Sequence, residues 1–215
     1  MICRAIIFDL DGTLVDTLQD LTTAMNVALQ EFHLPQCSAE ECRLMIGNAL
    51  PMFARRAVGP ENQHLADRVA ASMRDYYIDN CLTETRVYEG LKGVIDEMRH
   101  RHIYLAVLTN KDQHVATKIV EFYFGKGTFD PIVGAAKGRL NKPNPQSTLE
   151  IINAMRASPD QILFIGDSDV DIETARAAGV CSVGAAWGFR GRYELAVAHA
   201  DIIIDSPAEI LDLLA

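Results

Sequence analysis

The spacing of apolar positions changes period twice along the chain. Residues Cys3–Phe8 form a short, unbroken, partly β-branched apolar run, the pattern of a strand buried on both faces. After Asp-Gly-Thr at 11–13 the spacing becomes helical. Leu18, Leu21, Met25, Ala28 and Phe32 share one face, and Thr17 with Asp20 predicts a capping box. Ser38 with Glu41 predicts a second capped helix, and Leu65, Val69, Met73 and Tyr76 set the inward face of a third over 61–80. No strand is predicted between Asp16 and Arg86. The uncharged segment Leu44–Ala54 is a candidate to supply a loop, and Gly47 and Asn48 fit a turn between helices.

Beyond Arg86 strands alternate with helices. Ile103–Leu108, Ile132–Val133, Gln161–Ile165, Val180–Gly184 and Asp201–Ile204 read as strands. Leu91, Val94, Ile95 and Met98 mark a helix, as do Val115, Ile119 and Phe122, and then Leu149, Ile152 and Met155. Val170–Ala178 and Glu209–Leu214 complete the helices. That alternation implies right-handed crossovers and a parallel sheet covered on both faces. The fold class is α/β: a Rossmann-like parallel-sheet core over residues 1–15 and 87–215, with an all-helical insert at 16–86 after the first strand.

Of the 215 residues, 49% are apolar and 23% charged, enough to bury a core without disulfide or metal. The net charge is −9, with excess acid in both insert and core, which argues against a nucleic-acid surface. The longest uncharged stretch, Ala177–Phe189, is glycine-rich and too short to span a bilayer. Acid at Asp9 and Asp11 stands where a secretory signal would continue its apolar run, so a cytoplasmic protein without a membrane partner is expected. Cys3, Cys37, Cys42, Cys81 and Cys181 are scattered, form no C-x-x-C, and read as reduced thiols. His100 and His102 read as a solvated helix end. No oligomeric state is read from the sequence.

In open parallel sheets ligands bind beyond the carboxyl ends of the strands. Polar clusters stand at such ends: Asp9 and Asp11, Thr109 and Asn110, and Asp167, Asp169 and Asp171. Lys142, in N-K-P-N-P, precedes a helix. Crowded carboxylates raise one another's pKa, and a hard cation such as Mg2+ relieves that while leaving positions for water and phosphate. Lys142 and the Thr109 hydroxyl suit a phosphoryl group. One carboxylate could act as nucleophile and another as general acid and base. G-K-G-T at Gly125–Thr128 lacks phosphate-loop spacing and reads as a turn. Asp16 and Asp169 read as a helix-start and a loop acid, and Lys111 as a solvated residue.

F-D-L-D-G-T-L-V-D-T, L-T-N-K, N-K-P-N-P and G-D-S-D-V-D resemble the ordered motifs of the haloacid dehalogenase superfamily. The insert after the first motif resembles that superfamily's helical cap, and the subgroup most similar is the phosphoglycolate phosphatase-like enzymes. The resemblance implies Asp9 as nucleophile and Asp11 as acid and base. It implies Mg2+ bound by Asp9, the Asp11 carbonyl and Asp167. Asp171 would support that site through water or Lys142, and Thr109, the Asn110 backbone and Lys142 would hold phosphoryl oxygens. The expected partner is a small phosphorylated metabolite, 2-phosphoglycolate first.

Relatives on the same scaffold run other reactions. Asp11 argues against dehalogenation, and no lysine precedes Lys92, so the insert lacks a Schiff-base amine. Two alternatives stay open: a β-phosphoglucomutase-like phosphotransferase, against which T-N-K speaks, and a non-catalytic regulatory protein, against which the intact acids speak. In the insert, Asn48 is a turn residue and Arg55 and Arg56 are candidate ligands for a substrate carboxylate, or solvated helix residues. Trp187 and Phe189 fit either the rim or the core. The stretch V-G-A-A-K-G-R-L-N, between the third strand and Lys142, departs from the subgroup's usual acidic or glycine-rich pattern.

Overall fold

The computed structural model describes residues 3–214. Residues 1, 2 and 215, which begin the amino-terminal run and bound the predicted core, lie outside them. The chain divides into two compact units. One combines the segments up to Val15 and from Val87 on, and the other is Asp16–Arg86.

The first unit is built on a parallel sheet. β1 (Ala5–Phe8) is fully buried, as its unbroken apolar run requires. Two-residue strands β2 (Val15–Asp16) and β3 (Arg86–Val87) pair where the chain leaves and re-enters the unit. The remaining strands are β4 (Tyr104–Asp112), β5 (Ile132–Ala135), β6 (Ile162–Gly166), β7 (Cys181–Ala185) and β8 (Ile202–Ile204). The sheet order is β5-β4-β1-β6-β7-β8, parallel throughout, with Ile7 opposite both Ala106 and Phe164. The strand order reverses at β1, so a switch point opens at the carboxyl ends of β1, β4 and β6.

Alternation along the strands divides the core. Ala5, Ile7, Ala106, Leu108, Ile162 and Phe164 face one side, where they pack with Ile151, Ile152, Met155, Ala175 and Ala178. On the other face Phe8 meets Phe129 edge-on. Among the described residues no helix is long and apolar enough to cross a membrane.

The second unit is helical: α1 (Leu18–Glu31), α2 (Ala39–Met45), α3 (Ala49–Val58), a 3-10 turn at Pro60–Leu65 and α4 (Ala66–Asn80). Ser38 and Glu41 form the expected capping box on α2. Thr17 and Asp20 do not cap α1. The Leu18 amide donates instead to Asp16 Oδ1, at 3.0 Å. Gly47 and Asn48 lie in the turn between α2, which runs to Met45, and α3, which starts at Ala49, but the rest of Leu44–Ala54 outside that turn is helical. Tyr77 rather than Tyr76 is buried, because steps of four from Val69 and Met73 along one helix face lead to Tyr77.

Asp20 is 5% exposed and accepts from the Glu84 amide (2.9 Å), the Thr85 amide (2.9 Å) and Thr85 Oγ1 (2.8 Å). Asp20→Ala removes the acceptor of three donors, two of them on buried Thr85, so a loss of about 3 kcal/mol is expected in a urea melt. A shift under about 0.5 kcal/mol would show this clasp to be idle.

Candidate active site

The remaining helices of the first unit are α5 (Leu91–His100), α6 (Gln113–Phe124), α7 (Gln146–Met155), α8 (Asp169–Ala178) and α9 (Gly191–Val197). A 3-10 turn at Pro207–Leu214 stands where a closing helix was expected. The site candidates of this unit gather at its carboxyl edge. Asp9 follows β1, Thr109 and Asn110 lie near the carboxyl end of β4, and Asp167 follows β6.

Lys142 links the acids. Its Nζ lies 2.6 Å from Asp171 Oδ1 and 2.8 Å from Asp9 Oδ1. The contact to Asp9 is an ion pair without hydrogen-bond geometry, so Asp9 Oδ1 is buried with no hydrogen-bond partner. The Asn110 side chain sets the Lys142 backbone: its Nδ2 donates to the Lys142 carbonyl (3.1 Å) and its Oδ1 accepts from the Lys142 amide (2.8 Å). Asp171 also accepts from the Ser168 amide (3.1 Å) and hydroxyl (2.7 Å), capping α8.

Asp167 is gripped from its other side. Its Oδ2 accepts from the Phe189 amide at 2.7 Å, and its Oδ1 lies 3.5 Å from Thr13 Oγ1. Trp187 Nε1 donates to the Thr13 carbonyl at 3.1 Å, so this late loop braces the first. Glycine is required on both loops: a Cβ at Gly12 or Gly188 would run into Asp167, and Gly12 has φ +83°. Phe189 is buried and Trp187 half-buried.

Electrostatics follow from burial. Desolvation, countered in part by Lys142 and reinforced by Asp171 and Asp11, pushes Asp9 up to about 7. Burial, then Asp171 and Asp9, raise Asp167 well above the carboxylate range, against the pull of the Phe189 amide. Burial works against the Lys142 ammonium, but Asp171 and Asp9 outweigh it and hold its pKa above the ordinary lysine value.

Asp9, Asp167 and Asp171 each offer an oxygen within 4.8 Å of the others, all buried. One lysine, paired with Asp9 and Asp171, stands against three buried carboxylates. The set fits a hard divalent cation: its donors are oxygen only, and the charge is under-compensated.

Lys111 is not solvated. It is buried and paired with Asp11, at 2.7 Å to Oδ1 and 3.0 Å to Oδ2. Asp16 and Asp169 hold backbone amides of helix starts. Arg139, in the departing stretch, ties Gln113 to the Gly134 carbonyl. The helical unit is a separate case. Arg56 donates to the Met45 carbonyl (2.8 Å) and to Asn48 Oδ1 (2.6 Å), closing the turn before α3, while Arg55 offers its carbonyl to Gln63. All five cysteines are free.

Acids and a lysine gather at the switch point of a parallel sheet, and the comparisons give the class of protein. The model of the haloacid dehalogenase-like hydrolases matches residues 6–185, and the chain belongs to that family. The phosphoglycolate phosphatase of Mannheimia succiniciproducens is 31% identical, over 96% of both chains. A crystal structure from Lactobacillus delbrueckii subsp. bulgaricus, assigned provisionally as a phosphoglycolate phosphatase, superposes with TM-score 0.93. It is 28% identical and covers 100% of this chain and 99% of its own. A similarly assigned structure from Haemophilus somnus gives TM-score 0.91 at 30% identity, covering 100% and 99%. Within the family the chain is a phosphomonoester hydrolase of the phosphoglycolate phosphatase-like group.

Proposed function

We propose that this phosphatase depends on Mg2+, works through an aspartyl-phosphate on Asp9, and takes 2-phosphoglycolate as its main substrate. The observation that carries the reading is the buried Asp9 carboxylate, gathered with Asp167 and Asp171 within 4.8 Å and paired with the Lys142 ammonium. Full-length similarity to phosphoglycolate phosphatases supports the substrate.

Asp9 attacks phosphorus. The bond to the leaving oxygen breaks with its electron pair on that oxygen, which takes a proton from the Asp11 carboxyl. A water then attacks the phosphoryl group and gives its proton to the Asp11 carboxylate. The Asp9–phosphorus bond breaks, and inorganic phosphate and the Asp9 carboxylate are restored. Thr109, the Asn110 backbone and Lys142 hold the phosphoryl oxygens. Asp9, Asp167 and the Asp11 carbonyl hold the metal, and Asp171 supports it through Lys142. Bound there, Mg2+ supplies charge neutralisation and orientation of the phosphoryl group. Arg55 is the proposed ligand of the substrate carboxylate. Arg56 and Asn48 have a turn to hold. The free cysteines support a reducing, cytoplasmic setting.

The test is phosphate release with Mg2+ from 2-phosphoglycolate, sugar phosphates, nucleoside monophosphates and β-glucose 1-phosphate, the last also assayed for isomerisation. EDTA is expected to remove at least about 99% of turnover, and excess Mg2+ to restore it. EDTA-resistant release contradicts the metal, equal release from all esters contradicts the substrate, and isomerisation with little release contradicts hydrolysis.

A further inference from the structure

The steps above leave one buried ion pair unused. The Lys111 side chain is 5% exposed and that of Asp11 14%. One ammonium faces both oxygens of one carboxylate, at 2.7 and 3.0 Å. An exposed pair of this kind contributes little, because holding two flexible side chains in one geometry offsets the attraction. Here the stem is enclosed and the ammonium is largely out of water, so the counter-charge is needed and the geometry is kept.

The backbone adds to the restraint. β4 runs on to Asp112, so Thr109 and Lys111 belong to one strand, in the stretch between Leu108 and Asp112 where its pairing with β5 shifts register. The Lys111 amide donates to Thr109 Oγ1 at 3.2 Å. The strand that carries a proposed phosphate ligand therefore also carries this lysine. The two lysines divide the Asp-x-Asp pair: Lys142 stands on Asp9 and Lys111 on Asp11.

We propose that Lys111 is a positioning residue for the acid–base group, its ammonium holding the Asp11 carboxyl in one orientation for exchange of a proton with the leaving oxygen. The inference rests on the assignment of Asp9 and Asp11 above. Lys111 makes and breaks no bond. The proton passes between Asp11 and the leaving oxygen, and the phosphorus–oxygen electron pair stays with that oxygen. Lys111 therefore acts where the leaving group needs a proton and matters little where it does not.

Two esters separate these cases in the intact, Mg2+-loaded protein. 2-Phosphoglycolate releases an alkoxide that needs the proton, whereas p-nitrophenyl phosphate releases a phenolate that does not. Lys111→Met is expected to lower kcat on 2-phosphoglycolate about 100-fold with KM changed less than about 3-fold. First-turnover release of p-nitrophenolate, read by stopped flow, is expected to fall less than about 3-fold. Lys111→Gln, which keeps a donor on a side chain one atom shorter and without the charge, serves as the second variant and is expected to show the same split between esters. Lys111→Arg is expected to recover at least about 10-fold of kcat.

Equal losses on both esters overturn the proposal in favour of a merely structural lysine. A KM rise confined to the carboxylated ester makes Lys111 a substrate ligand and also overturns it, as does an unchanged kcat. An active wild type with unaffected variants removes only the role of Lys111. A wild type inactive on both esters removes the proposed function and this inference together.

Discussion

Asp9→Asn is expected to abolish turnover, by about four orders of magnitude or to the background of the assay, in a protein that still folds. The amide keeps the size of the carboxylate and removes the attacking oxygen's charge. Folding is expected to survive because the carboxylate is a burden on the metal-free protein. Burial pushes Asp9 up to about 7, above the 3.8 of an unperturbed aspartate. A carboxyl whose folded pKa is raised holds its proton more tightly when folded, so its stabilising contribution is full below the unfolded value. It is lost as pH rises toward 7. Asparagine does not titrate. In EDTA the stability of Asp9→Asn relative to wild type is therefore expected to grow between pH 4 and pH 7. Thermal melts across that range check the sign, and a difference that shrinks with pH contradicts it.

Lys142→Met is the second large effect, and it reaches both activity and stability. The Lys142 side chain is 3% exposed and lies within 2.8 Å of oxygens on Asp9 and Asp171. Methionine fills much of the space and leaves two buried carboxylates without a counter-charge. Breaking such a pair costs about 3–5 kcal/mol. Turnover is expected to fall about a thousand-fold, because the same ammonium is the proposed ligand of the phosphoryl oxygens. Lys142→Met with Asp171→Asn separates the two roles. Removing one orphaned charge is expected to recover part of the stability and none of the activity. Recovered activity would mean that Lys142 serves only to neutralise Asp171.

What the sequence reveals depends on how local the signal is. β1 and β6 are legible because a strand buried on both faces needs an unbroken apolar run. The acids after them are legible because loops at that edge have few other reasons to gather carboxylates. Lys111 was hidden by a misplaced strand end. With β4 stopped at Leu108, T-N-K-D reads as a loop and its lysine as solvated, but the strand continues to Asp112 and carries Lys111 inward. Asp20 was hidden because its partners lie more than sixty residues away, at Glu84 and Thr85, while Thr17 offers a plausible local cap. The turn before α3 was legible from Gly47 and Asn48, but the first residues of α3 were not marked, because Pro51 stands among them. That proline falls in the first turn, where amides have no partner within the helix, so it does not break it. The Phe189 amide that holds Asp167 has no signal in the sequence, since any residue but proline offers one.

The most direct test of the central claim is to quench the wild-type protein in acid during its first turnovers with Mg2+ and substrate, digest it, and read the phosphoryl group by mass spectrometry. One phosphoryl group is expected on the peptide carrying Asp9, absent from Asp9→Asn. A phosphoryl group on any other residue, or none at any quench time while phosphate is being released, would contradict it.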